Sequence, residues 1–203
     1  MNPHWEMKPL EGLGELRFGD PPDALEARRA AYGDLESRGP VRADAALAEE
    51  TFRMPGMGFS EAEIAELMAA MQTEHEAVAD LEVQIYDTGA HFTFEAGSLA
   101  EIMMDARAFR LHVGGTLVFQ TDPFPALRAL QRLNAEPPLV NGPDCYFRNL
   151  HVTAFEFGLL TEGGRLRATA SGTDEALQKT ISWRADPRQP DEDFSGHVAV
   201  DLG

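Results

Sequence analysis

Leu16-Arg17-Phe18-Gly19-Asp20-Pro21-Pro22-Asp23-Ala24-Leu25 is the stretch that sets the architecture of this chain. It returns, loosened by one inserted residue, as Leu117-Val118-Phe119-Gln120-Thr121-Asp122-Pro123-Phe124-Pro125-Ala126-Leu127. Both copies read Leu-x-Phe, a short gap, then Asp-Pro-x-x-Ala-Leu. An aspartate offers its carboxylate to the unpaired N–H groups of a helix start, and a proline just inside the helix sacrifices no hydrogen bond. Each copy therefore predicts a short strand running into a helix, with Asp20 and Asp122 as caps rather than catalysts.

Outward from these joints the pattern is regular. The first helix is expected to reach Tyr32, with Leu25 and Tyr32 on its buried face and Gly33 ending it. Residues 34–79 read as an insertion, punctuated by Gly39-Pro40 and by Met54-Pro55-Gly56-Met57-Gly58. Within it Ser60-Glu61-Ala62-Glu63 has the form of a capping box, followed by Ile64, Leu67, Met68, Met71, His75 and Val78 on one helical face. Strands follow at 81–86, with Val83 and Ile85 to one side, at 90–95, with Phe92 and Phe94 inward, and at 99–105. Their short turns predict an antiparallel meander.

A hairpin at 109–120 turns on Gly114-Gly115. A two-residue loop pairs Val113 with Thr116 and splits the apolar residues between two faces. A three-residue loop pairs Val113 with Leu117 and collects them on one, which makes it the expected register. A helix at 123–133, a loop at 134–143 and strands at 145–147, 150–157, 165–170, 180–184 and 197–202 complete the chain. The sum is an α+β protein: an antiparallel β-sheet with helices on one face. It is read as a single domain, 1–203, built from two divergent repeats, 10–108 with the insertion 34–79, and 109–203.

Charge narrows the function. Seventeen Lys and Arg stand against 34 Asp and Glu, a formal net charge of −17. Such a surface repels phosphate backbones, so nucleic acid is not the expected partner. A basic protein is, steered in by the field. The charge is concentrated between Asp44 and Asp80, where nine acidic residues face one base, Arg53. Glu49, Glu50, Glu63, Glu66 and Glu76 of this segment are the candidate partner-binding residues. No apolar run reaches the length of a membrane span, and Met1-Asn2-Pro3-His4-Trp5-Glu6 has no leader character. With Cys145 alone there is no intrachain disulfide. The expected compartment is the cytoplasm.

The phrase Leu13-Gly14-Glu15-Leu16-Arg17-Phe18-Gly19-Asp20 leading into a short helix resembles bacterial proteins with tandem helix-then-sheet repeats, of the small-protein-A/outer-membrane-lipoprotein and β-lactamase-inhibitor-protein type. The resemblance covers residues 10–33 and, more loosely, 109–170. Asp20-Pro21 stands where that family usually has a Met or Leu and a small polar residue. The resemblance implies a non-enzymatic protein that binds another protein across a sheet, and it transfers no individual binding residue.

Chemistry leaves few marks on the sequence. There is no phosphate-binding Gly-rich loop with Lys, no His-Glu-x-x-His and no Gly-x-Ser-x-Gly. No metal or cofactor is expected. Cys145, beside Tyr146 and Phe147, reads as a small buried residue. His91, His112 and His151 all fall in expected strands, with His91 and His112 opposite their apolar neighbours. Were those strands adjacent, the three could converge on the open sheet face as an acid–base or ligand site. Two readings result: a non-catalytic acidic binding module of the immunity or inhibitor kind, and an enzyme or small-molecule binder built on the three histidines.

Overall fold

The computed structural model describes residues 2–40, 60, 63–67, 81–161, 164–169, 178–187 and 194–203. Among these residues the strands are β1 (Met7–Lys8), β2 (Gly12–Leu13), β3 (Leu16–Arg17), β4 (Leu35–Pro40), β5 (Leu81–Tyr86), β6 (Ala90–Glu95), β7 (Ser98–Asp105), β8 (His112–Val113), β9 (Thr116–Leu117), β10 (Leu139–Asn141), β11 (Asp144–Phe147), β12 (Val152–Phe155), β13 (Gly158–Leu160), β14 (Leu166–Ala168), β15 (Thr180–Arg184) and β16 (Val198–Ala199). Helix α1 spans Pro22–Glu26 and α2 spans Phe124–Asn134; residues 63–67 are also helical.

Nine strands form one antiparallel sheet in the order β16-β10-β11-β12-β15-β7-β6-β5-β4. The meander β4–β7 and the strands β10–β12, β15 and β16 meet at a seam where β15 pairs with β7, Trp183 opposite Ile102. The inner face is the core. Phe92, Phe94, Ile102, Met104, Trp183, Ile181, Val152, Ala154, Cys145 and Phe147 are all buried in one cluster with residues from the layer above. That layer holds the small sheet β1–β3, α1, the β8–β9 hairpin and α2, contributing Leu13, Leu16, Leu25, Leu111, Val113, Leu127 and Leu130. The α+β class and the antiparallel sheet agree with the sequence reading.

The joints behave less alike than their sequences. Asp122 lies one residue before the N-cap, Pro123, and accepts a hydrogen bond from the first helical N–H, Phe124 N, at 3.0 Å. Asp20 does not cap. Its Oδ2 accepts from Arg17 N at 2.8 Å and closes the preceding turn, while α1 starts without any side-chain cap. The reason is that Gly19 and Asp20 are held in extended pairing with Leu99, through Gly19 N to Leu99 O and Leu99 N to Asp20 O, both 2.8 Å. Helix α1 is also only five residues long; a 3-10 turn, Arg29–Ala31, carries the chain on to buried Tyr32.

Three other expectations change. Residues 35–40, read as the start of an insertion, form the edge strand β4 against β5. The loop at 134–143 contains β10. The β8–β9 hairpin takes the two-residue loop, with Val113 opposite Thr116. Both Gly114 and Gly115 have positive φ, +53° and +79°, the conformation of a tight type I′ turn. Val118, rather than Leu117, joins Leu111 and Val113 inside. On β5 the buried residues are Gln84 and Tyr86, so Val83 and Ile85 take the outer face, half-buried. Gln84 tolerates burial because its amide donates to Glu82 Oε1 at 2.9 Å and accepts from the Tyr86 hydroxyl.

Candidate functional site on the outer sheet face

Strand alternation that buries one residue exposes the next on the opposite face. In β11, β12 and β15 the half-buried outer members are polar: Tyr146 between Cys145 and Phe147, Thr153 between Val152 and Ala154, Ser182 between Ile181 and Trp183. Register aligns them in a row, Tyr146 opposite Thr153 and Thr153 opposite Ser182. Asp144 stands two residues from Tyr146 on the same face. On the other flank Arg184 lies opposite Glu101 of β7. Together these residues line a hollow of about 220 Å³, closed further by His151 and His197.

His151 is placed by a left-handed residue geometry, φ +49°, directly after a 3-10 turn at Arg148–Leu150. Its Nδ1 donates to the Ala185 carbonyl oxygen at 2.9 Å. A carbonyl only accepts, so the proton of neutral His151 sits on Nδ1 and Nε2 is left as an acceptor. His197 is brought in by its neighbours. Phe194 stacks on Tyr146 with ring centroids 5.1 Å apart and planes 9° from parallel, and His197 meets Phe194 edge-on. The Arg148 guanidinium lies 5.6 Å from the Phe194 ring.

Charge in the hollow is unevenly satisfied. Arg184 bonds Glu101 Oε2 at 3.1 Å and lies 3.6 Å from Glu95 Oε2, so its guanidinium is held by two carboxylates. Asp144 has no hydrogen-bond partner among the described residues. Burial pushes its carboxyl above the usual range, with the nearby His197 acting in the opposite direction. A wider groove of about 580 Å³ adjoins at Arg184, bounded by Phe18, Glu95, Ser98, Ala100 and Asp186.

The three histidines of the alternative reading do not converge. His151 lines the hollow. His91 shares the outer face, but three strand spacings separate its strand from β12, about 14 Å. Its Nε2 lies 3.3 Å from Asp105 Oδ2. Asp105 is gripped in turn by Arg107, which reaches Glu36 at 3.1 Å and ties β7 to the edge strand β4. His112 lies on the opposite side of the sheet, because its hairpin belongs to the covering layer. It is buried, and its Nε2 donates to Asn2 O at 3.1 Å.

Of the acidic candidates, Glu63 and Glu66 are exposed. The capping box forms as expected: Ser60 N and Oγ donate to Glu63 Oε2 at 2.8 and 2.7 Å, and Glu63 N donates to Ser60 Oγ. The Ser60 backbone bond first, and its hydroxyl second, hold the Glu63 carboxyl below the usual range. Glu49, Glu50 and Glu76 lie outside the described residues. Cys145 is buried on the inner face, and burial pushes its thiol up to about 12, which disfavours the thiolate.

Among the described residues no group of three or more His, Cys, Asp or Glu is arranged to hold a metal ion. No helix among them is long and apolar enough to cross a membrane. No protein-family model, curated protein or solved structure matches this chain.

Proposed function

We propose that this chain is a non-catalytic binding module for a basic protein partner, of the immunity or inhibitor kind, acting in the cytoplasm. The outer face of the sheet, at the hollow and the groove that share Arg184, is the docking surface. One observation carries the reading. A half-buried carboxyl, Asp144, stands in a solvent-reachable hollow without a hydrogen-bond partner among the described residues, on a chain of net charge −17. Exposed surface ion pairs contribute little, about 0–1 kcal/mol each, whereas a partly desolvated and unsatisfied carboxylate gains more from a cation. The resemblance of the phrase Leu13–Phe18 leading into a short helix to tandem helix-and-sheet repeat proteins, from which Asp20-Pro21 departs, supports both sheet-face binding and a two-repeat origin.

A small-molecule site in the same hollow is the competing reading, favoured by the free acceptor nitrogen of His151; it dispenses with His91 and His112. The two separate experimentally. Binding to a panel of basic proteins is measured at low and high salt, with wild type and with Ser182→Tyr, which fills the hollow from its floor and leaves the buried inner face untouched. The proposal expects binding at low salt that high salt and Ser182→Tyr both remove. Binding to none of the panel, or binding indifferent to Ser182→Tyr, contradicts it.

A further inference from the structure

We infer that the hollow receives one cationic side chain, a guanidinium or primary ammonium carried by the partner protein. The inference rests on the binding reading above and specifies its chemistry.

Acceptors dominate the lining. Asp144 has no hydrogen-bond partner among the described residues, and with its Nδ1 donating to Ala185 O, His151 in its neutral form has Nε2 left to accept. Thr153 and Ser182 offer hydroxyl oxygens at the floor. Among the described residues lining the hollow the guanidinium is that of Arg184, already held by Glu101 and Glu95. Among the described residues the hollow is lined by the carboxyls of Glu101 and Asp144 and the guanidinium of Arg184, which also reaches Glu95 at its rim, on a chain of net charge −17. An anionic guest would therefore meet an unfavourable field and few free donors. A guanidinium brings five N–H donors and an ammonium three, with no acceptor to leave unsatisfied.

Size points the same way. At about 220 Å³ the hollow is below the usual range for drug-sized ligands, about 300–1,000 Å³, and suits a single side-chain head. The adjoining groove gives the backbone that carries this side chain a place to lie. A free diamine shares the head-group chemistry but makes no use of the groove.

Calorimetric titration tests this with small probes: acetylated arginine amide, its neutral citrulline counterpart, a short arginine-centred peptide, and agmatine as the free cation. The expected result is saturable binding of the arginine amide, weakened about tenfold or more with citrulline and with Asp144→Asn. The peptide should bind more tightly than agmatine. Equal affinity for arginine and citrulline amides overturns the inference, as does an Asp144→Asn variant that binds like wild type. Agmatine binding more tightly than the peptide also overturns it, in favour of a free cationic metabolite. If the small probes fail while basic proteins still bind in a Ser182-sensitive manner, only this inference falls; if both fail, the binding reading falls with it.

Discussion

The indole Nε1 of Trp183 donates a 2.9 Å hydrogen bond to the carbonyl oxygen of Gly12, 171 residues earlier in the chain. The bond ties the small N-terminal sheet to β15. Trp183 faces the core, and its neighbours Ser182 and Arg184 face the hollow. The site strand is thus anchored from behind by the residue between its two working positions. Gly12 has φ +145°, and a Cβ there would fall 2.1 Å from Leu16 O. Neither partner of this bond has an easy substitute.

Trp183→Phe keeps an aromatic ring but loses the bond that ties the small sheet to β15. We expect a loss of about 2 kcal/mol, read as a lower urea midpoint with unchanged slope. Gly12→Ala should cost more, about 3 kcal/mol or beyond, because backbone must move to admit the methyl group.

The two Asp-Pro joints should respond differently to the same change. Asp122→Ala removes an acceptor from the first turn of α2 and should cost about 1 kcal/mol. Asp20→Ala opens only an exposed turn at Arg17 and should cost about half that, roughly 0.5 kcal/mol. Equal and large losses in paired denaturation curves would contradict the assignment of the helix-start bond to Asp122 alone.

Acidification should weaken the clasp between β7 and β4. Burial raises the Asp105 carboxyl, but hydrogen bonds from Arg107 and His91 outweigh it and hold it below the usual range. A carboxyl depressed in the folded state contributes stability above its unfolded pKa and loses it as pH falls through the folded value. Thermal melts between pH 5 and pH 2 should therefore show a wild-type decline that Asp105→Asn flattens, since an amide has no proton to gain.

Asp144 has the opposite sign. Its folded carboxyl is raised, so its relative contribution is full below the unfolded pKa and disappears as pH rises through the folded value. At neutral pH the ionised group is a burden on the fold. Asp144→Asn should raise stability at pH 7 by roughly 0.5 kcal/mol, with little change at pH 3, while weakening cation binding. A stability gain coupled to a binding loss marks a residue kept for binding; a simple stability loss in the melts would refute that.

Much of the frame was legible in local pattern. Phe92 and Phe94, Cys145 and Phe147, and Ile181 and Trp183 show the period-two alternation of half-buried strands, and Ser60 with Glu63 shows its capping box directly. The hollow's floor, Tyr146, Thr153 and Ser182, is made of the polar partners of that alternation, which the sequence did not single out from other outward residues. What local pattern did not hold was strand order. That β15 sits between β12 and β7 is a non-local pairing, and it alone brings Arg184 to Glu101 and Ser182 to Thr153. Without it, His91, His112 and His151 looked like possible neighbours. His197 and Asp144 were hidden for a related reason: their meeting depends on the stacking of Phe194 on Tyr146, a contact between distant segments. At Asp20, pairing with Leu99 overrode a helix-start signal that the same letters fulfil at Asp122.

The most direct test of the docking surface is a side-chain NMR footprint of the chain bound to the tightest basic protein from the panel. The imidazoles of His151 and His197 and the methyl group of Thr153 should shift on binding. The imidazole of His112, buried on the far side of the sheet, should not. Shifts confined to the side of His112, with His151, His197 and Thr153 unmoved, would contradict the outer face as the place where this protein meets its partner.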